Sequence, residues 1–297
     1  MSEPHIVETV DPEDAFGALS DGTRIEILRA LWDAEDHELS FSELREAVGM
    51  RDSGQFNYHL DKLTDRFITK TDDGYRLRLA GIQTVGALLA GAYTMDGSVD
   101  PFEVDAACPS CGSSMTFQYD DEWVTIDCDE CPVSSDFGVP PGAFEGYGVD
   151  EFPEVAERYG RTLIRQVGNG FCPYCEGRVR PTVELAHDAD QSSREVPDHL
   201  ENVPTVEYTC DRCEETLTVD LGVSLLEHPA VVSFYYDHGV DVREASIWRF
   251  GALSNDRSWI TDRDPFRAVV TYPAGDEELR LTVDDELNVL DVGRGHV

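Results

Sequence analysis

Up to about residue 95 the apolar positions recur at helical spacing. Pro12 to Ala18 predicts a short helix, and Asp21-Gly-Thr opens a second carrying Ile25, Leu28, Leu31 and Trp32. Ser40 to Ser42 can cap a third, with Leu44, Ala47 and Val48, closed by Gly49. Asp52 or Ser53 caps a fourth, in which Phe56, Leu60 and Leu63 share one face. Phe67–Lys70 and Tyr75–Leu79 then read as two strands around Asp72-Asp73-Gly74, before an apolar helix from Leu79 to Tyr93. Helices, hairpin and closing helix come in the order of a winged helix-turn-helix.

Beyond a Gly/Ser/Asp stretch at Asp96–Pro101 the period changes from helical to alternating. Met115, Phe117 and Tyr119 alternate with polar residues, Asp120-Asp121-Glu122 turns, and Trp123 to Asp127 returns. Cys128-Asp-Glu-Cys131 followed by Asp136-Phe-Gly-Val139 has a counterpart in Cys210-Asp-Arg-Cys213 followed by Asp220-Leu-Gly-Val223. This internal repeat leads each time into a helix: Pro153–Val167 in the first copy, Pro229–Tyr236 and Val242–Phe250 in the second. Val179–Ala186 and Thr205–Thr209 are strands of the second copy, with a polar loop over His187–Pro204. Phe266–Tyr272, Leu279–Val283 and Leu287–Val292 form a cysteine-free tail of strands, a third copy in outline. The fold class is α+β: an N-terminal winged helix-turn-helix over 1–97, a first zinc ribbon plus helix over 98–168, and a second ribbon with helical and C-terminal β-rich segments over 169–297.

Charge changes the picture of the surroundings more than of the fold. Sixty acidic and 23 basic residues leave a net charge of −37 in 297 residues, and only Lys62 and Lys70 are lysines. Self-repulsion of this size destabilises a compact chain in dilute salt. At molar salt the Debye length falls to about 3 Å and the repulsion is screened. The composition resembles proteins of salt-accumulating halophilic archaea. The longest apolar run, Leu79–Thr94, is interrupted and too short for a bilayer. Met1–Asp14 is acidic and mixed, unlike a secretory leader, so a cytoplasmic location is expected.

All eight cysteines fall in CxxC pairs: Cys108/Cys111, Cys128/Cys131, Cys172/Cys175 and Cys210/Cys213. Two thiolates from one tight turn suit a metal better than a disulfide, and two such turns joined by a hairpin make a tetrahedron. Two structural zinc ions per chain are expected, with no open coordination position. An iron site or thioredoxin-like redox pairs are the alternatives, the latter lacking their βαβ context. His187, His199, His228 and His238 show no ligand spacing, and no phosphate-binding loop, nucleophile elbow or dinucleotide fingerprint occurs, so no enzyme class is expected.

Setting Phe56, Leu60 and Leu63 aside leaves Gln55, Asn57, Tyr58, His59 and Lys62 on the other faces of the fourth helix. Their amide, ring and cationic groups suit base edges and phosphates. Residues 51–80 hold six basic side chains (Arg51, Lys62, Arg66, Lys70, Arg76, Arg78) against five acidic ones, a local exception in so acidic a chain. Ala18-Leu-Ser-Asp-Gly-Thr-Arg-Ile-Glu-Ile-Leu-Arg-Ala-Leu31, Leu39-Ser-Phe-Ser-Glu-Leu44 and Gln55-Phe-Asn-Tyr-His-Leu-Asp-Lys-Leu63 resemble, in order, the motifs of ArsR-type winged-helix transcriptional regulators. The resemblance spans about residues 12–95. It implies a homodimer on double-stranded DNA, with contacts at Asn57, Tyr58 and His59 and wing contacts near Lys70 and Arg76; Arg51, Gln55 and Lys62 are expected to join them on their residue types and places. The cysteine pair that metal-sensing members carry at the start of the Glu43-Leu44-Arg45 helix is missing. The cysteine-bearing remainder resembles regions appended to such domains in haloarchaeal regulators, where contact with the transcription machinery is a further expectation. The other expectation is a nucleic-acid maintenance or RNA-associated factor that uses its ribbons as the main contact.

Overall fold

The computed structural model describes residues 10–109, 111–131, 133–185, 203–247 and 257–296. It is a mixed α+β structure of two compact units, Met1–Met95 and Asp96–Val297. The expected division at 168/169 falls inside the second of these.

The first unit runs α1 (Pro12–Leu19), α2 (Gly22–Asp33), β1 (Glu38–Leu39), α3 (Phe41–Ala47), α4 (Ser53–Leu63), β2 (Ile68–Lys70), β3 (Tyr75–Leu77) and α5 (Leu79–Leu89). Local chemistry sets the helix starts. Asp21 accepts the amides of Thr23 and Arg24, Ser40 and Glu43 form a reciprocal capping box, and Asp52 accepts Gly54 and Gln55 at 2.8 and 2.9 Å. The strands make one antiparallel sheet in the order β1-β3-β2. Ile27, Leu28, Leu31, Leu44, Phe56, Leu60, Leu63 and Ile68 form its closed apolar core. The last helix stops at Leu89, four residues before the expected Tyr93, where Gly91 turns the chain at φ +80°. Of its apolar face, Val85 is buried and Ile82 packs on the core, while Leu79 and Leu89 stay exposed.

The second unit opens with a meander of β4 (Ser98–Ala107), β5 (Ser114–Asp120), β6 (Trp123–Cys128) and β7 (Ser134–Gly138), paired in sequence order. The β5–β6 loop is two residues, Asp121 and Glu122, both at positive φ, the geometry a right-twisted hairpin favours. Edge strand β4 begins within the stretch expected to be linker. Its register shifts between Val99 and Phe102, around Pro101, which has no N–H to pair. Helix α6 (Phe152–Gly168) follows, then β8 (Val179–Leu185), β9 (Pro204–Cys210) and β10 (Thr216–Asp220) in a second antiparallel sheet, β10-β9-β8. Pro204, expected in a loop, is the first residue of β9, and the rest of that loop, 187–202, lies outside the described residues.

Two short helices, α7 (Leu221–Ser224) and α8 (Pro229–Asp237), lead to a four-stranded meander of β11 (Ser258–Arg263), β12 (Phe266–Ala274), β13 (Glu277–Val283) and β14 (Val289–His296). The helix expected over Val242–Phe250 does not begin at Val242: residues 242–245 run through a turn and a bend, and 248–250 lie outside the described residues. Side-chain bonds hold this segment to α6. Arg161 donates to the Val242 and Ala245 carbonyls at 2.5 and 2.6 Å, and Glu157 accepts from the Ser246 hydroxyl and the Ile247 amide, both at 2.8 Å. Arg161 and Glu157 also pair with each other at 3.1 Å and are nearly buried. Helix α6 serves two cores. Val155 and Ala156 pack with Met115, Phe117 and Ile126, whereas Val167 packs with Val179, Val206, Phe234 and Tyr272.

Candidate metal centres and nucleic-acid interface

The eight cysteines are all free thiols, gathered as two sets of four: Cys108, Cys111, Cys128 and Cys131, and Cys172, Cys175, Cys210 and Cys213. Each CxxC lies on the same kind of turn. The first cysteine's amide donates to the carbonyl five residues on: Cys108 to Ser113, Cys128 to Val133, Cys172 to Gly177 and Cys210 to Glu215, at 2.8–3.0 Å. In three of the turns the residue after the second cysteine returns its amide to the first cysteine's carbonyl, and that residue has positive φ: Gly112 (+77°), Glu176 (+56°) and Glu214 (+63°). Glycine takes this conformation freely at Gly112, and two glutamates fill the same place in the second centre at a conformational cost glycine does not carry. Amides of Glu130, Tyr174 and Arg212 point at the sulfurs of Cys128, Cys172 and Cys210 at 3.4–3.5 Å.

Within each set the sulfurs lie within 4.8 Å of one another. Cys108–Cys131 and Cys111–Cys128 are 3.5 and 3.4 Å apart, and Cys172–Cys213 and Cys175–Cys210 are 3.7 and 3.5 Å apart. These spacings exclude S–S bonds and approach the ~3.8 Å edge of a tetrahedron with ~2.3 Å metal–sulfur bonds. Hydrogen bonds from Ser113 hold the Cys111 thiol down to about 6, and the amides of Cys213 and Arg212 do the same for Cys210. Burial pushes Cys131 up to about 12 and raises Cys128 as well, so a metal at the first centre has two thiols to deprotonate against their surroundings. The donor set and geometry fit one metal ion at each centre.

Gly177 is a further residue that the cysteine spacing does not point to. A Cβ on Gly177 would lie 2.8 Å from Cys210 Sγ and 3.0 Å from Cys175 Sγ. The chain folds back onto its own thiolates there, and only glycine leaves them room.

On α4 the structure separates the expected contact residues. Arg51, Gln55, Asn57, Tyr58 and Lys62 are exposed, Tyr58 by 56%, and the Lys62 ammonium lies 5.6 Å from the Tyr58 ring centre. Lys70 and Arg76 are exposed on the hairpin, Arg76 within 3.8 Å of Glu38. His59 is a correction: it is 5% exposed, its Nδ1 3.5 Å from the Asp21 carboxylate. The reason is periodicity. His59 lies three residues after Phe56 and four before Leu63, and so on the buried stripe. Two more basic residues of this segment are used internally, Arg66 on the Asp14 carbonyl and Arg78 on that of Asp65.

No curated protein and no solved structure matches this chain. A family model described as Domain of unknown function (DUF7347) matches residues 12–88, nearly all of the described first unit. A second, described as Domain of unknown function (DUF7351), matches residues 105–289, which include both four-cysteine centres. Since that match covers more than half of the sequence, the chain belongs to the DUF7351 family.

Proposed function

We propose that this protein is a DNA-binding transcriptional regulator. In this reading its first unit is a winged helix-turn-helix with α4 in the major groove, and its second unit carries two structural zinc ions. The observation that carries the reading is the surface of α4. Behind it lies a closed core of Phe56, Leu60 and Leu63; in front are Gln55, Asn57, Tyr58 and Lys62. The chain's only lysines stand on this helix and on the hairpin at Lys70. The element order and the small sheet β1-β3-β2 support the winged-helix reading. Zinc is favoured because four thiolates in a closed tetrahedron are its usual structural set. Exposed Phe16, Leu79, Leu89, Tyr93 and Met95 supply an apolar surface for a homodimer.

At molar salt little counterion release is left to drive binding, so base-edge contacts must carry specificity. The test is footprinting on genomic fragments in molar KCl, with zinc measured on the same protein. Discrete sites weakened by Tyr58→Ala, with two zinc ions retained, bear the reading out. A second reading rests on Phe171 and Tyr174, 55% and 64% exposed beside the second centre with Arg178 and Arg180 nearby. Such rings suit stacked single-stranded bases. Binding that survives Tyr58→Ala and is lost in Phe171→Ala/Tyr174→Ala would favour it instead.

A further inference from the structure

Inside the second unit a cavity of about 390 Å³ opens between the two halves of the internal repeat. One wall is β7 and the other β10, each an edge strand of its sheet, and α6 passes along it through Gly160, Arg161 and Ile164. Most of the lining is apolar, with Ile126, Phe137, Ile164, Leu217 and Val219 prominent. The repeat contributes matching acids, Asp136 from the first half and Asp220 from the second.

The polar groups differ in how far they are occupied. Arg161 and Glu157 satisfy each other and the Val242–Ile247 segment. Asp136 accepts from Thr125 and Ser134. Thr205, directly across the β9–β10 pair from Asp220, has its hydroxyl oxygen buried with no hydrogen-bond partner among the described residues. An unpartnered buried hydroxyl is costly, and it faces a space able to hold one. Asp220 accepts the Gly222 and Val223 amides on a single oxygen, Oδ1. The Arg161–Glu157 pair is neutral overall, so it does not offset the carboxylate that Asp220 brings to the cavity.

We propose that this cavity is a binding site for a small amphipathic amine, its apolar body between β7, β10 and α6 and its ammonium at Asp220 and Thr205. The volume lies within the range of small-molecule sites, and a mostly apolar wall with a few convergent polar groups is their usual composition. Burial also pushes the Asp220 carboxyl up to about 6, the penalty a cationic partner would relieve. The proposal stands whether or not the first unit binds DNA.

The probe is 4-phenylbutylamine, with 4-phenylbutyrate as its counterpart of opposite charge, titrated into the full-length metal-loaded protein in molar KCl. Bulk salt screens attraction to the acidic exterior but much less that inside a cavity. The readout is the methyl NMR signals of Ile126, Ile164 and Leu217. The amine should shift them saturably and the acid should not. Thr205→Val, which keeps the shape and removes the hydroxyl, should raise the melting temperature and weaken the amine about tenfold. Leu163 also lines the α6 wall, and Leu163→Trp, which fills the cavity, should abolish the shifts. No saturable shift, equal binding of the acid, or parent-like binding by both variants would each overturn the proposal.

Discussion

The two units are held by different means. The first closes on an apolar core without a cysteine, and its helices begin at caps the sequence spells out. In the second, buried cysteines are core members: Cys108 and Cys128 lie among Met115, Phe117 and Ile126, Cys172 and Cys210 among Val179, Val206 and Tyr208. If metal fills both centres, its removal costs the first unit nothing, whereas it leaves the second with buried thiols at strand ends, Cys128 and Cys210 among them. The surfaces differ too. Residues 1–97 hold nine basic and nineteen acidic side chains, and the remainder holds fourteen and forty-one. Near-neutral stretches interrupt this acidity in both units: from α4 to the hairpin, and over residues 158–187, which hold five basic and two acidic side chains.

The comparison breaks most visibly if metal is withdrawn. Structural zinc contributes on the order of 10 kcal/mol to small metal-held folds. Chelation in molar salt should therefore abolish amide-exchange protection through β5–β7 and β8–β10 while leaving α2 and α4 protected. Cys108→Ser should remove one metal of two and loosen residues 102–140 only, as elemental analysis with exchange mass spectrometry would report.

Gly177→Val tests the close approach to Cys175 and Cys210. It should cost the second metal and several kcal/mol, about the scale of other overpacked buried sites, without touching the first metal. Asp220 gives a pH signature. Its raised carboxyl pKa means that its contribution is intact when it is protonated, below about pH 4, and is lost as pH rises through about 6. Asp220→Asn keeps the cap on α7, so the variant should gain stability over the parent across that window and hold the gain at neutral pH. A constant difference between the two melting curves from pH 4 to 7 would contradict this. The smallest effect is conformational. Glu176→Gly relieves a positive φ and should stabilise the second centre by up to ~1 kcal/mol, whereas Gly112→Ala should cost the first ~1 kcal/mol.

The same contrast explains what was legible in the sequence. In the first unit the helices and hairpin could be read because caps, periodicity and turn residues agree, although the two-residue strand β1 is too short to leave a pattern. His59 was misplaced because it is polar: only counting from Phe56 and Leu63 puts it inside. In the second unit the cysteine spacing located both centres, but strands went unseen for separate reasons. Pro101 interrupts β4, and β7 is a polar edge strand, Ser134-Ser-Asp-Phe-Gly138. Gly177 gives no signal, since its requirement comes from sulfurs supplied by two different turns.

The central claim, that α4 of the first unit reads DNA while the second unit is the metal-held one, meets its most direct test in one footprinting series at molar salt. Parent, Tyr58→Ala and Lys62→Ala would be compared on the same genomic fragments, with metal content measured in each. Discrete protected sites are expected in the parent, and two metals in every protein. Tyr58→Ala should lose ~1–3 kcal/mol of specific affinity, more than Lys62→Ala loses at high salt. Undiminished protection by Tyr58→Ala, or sites that vanish only when the metals are removed while α4 remains folded, would contradict it.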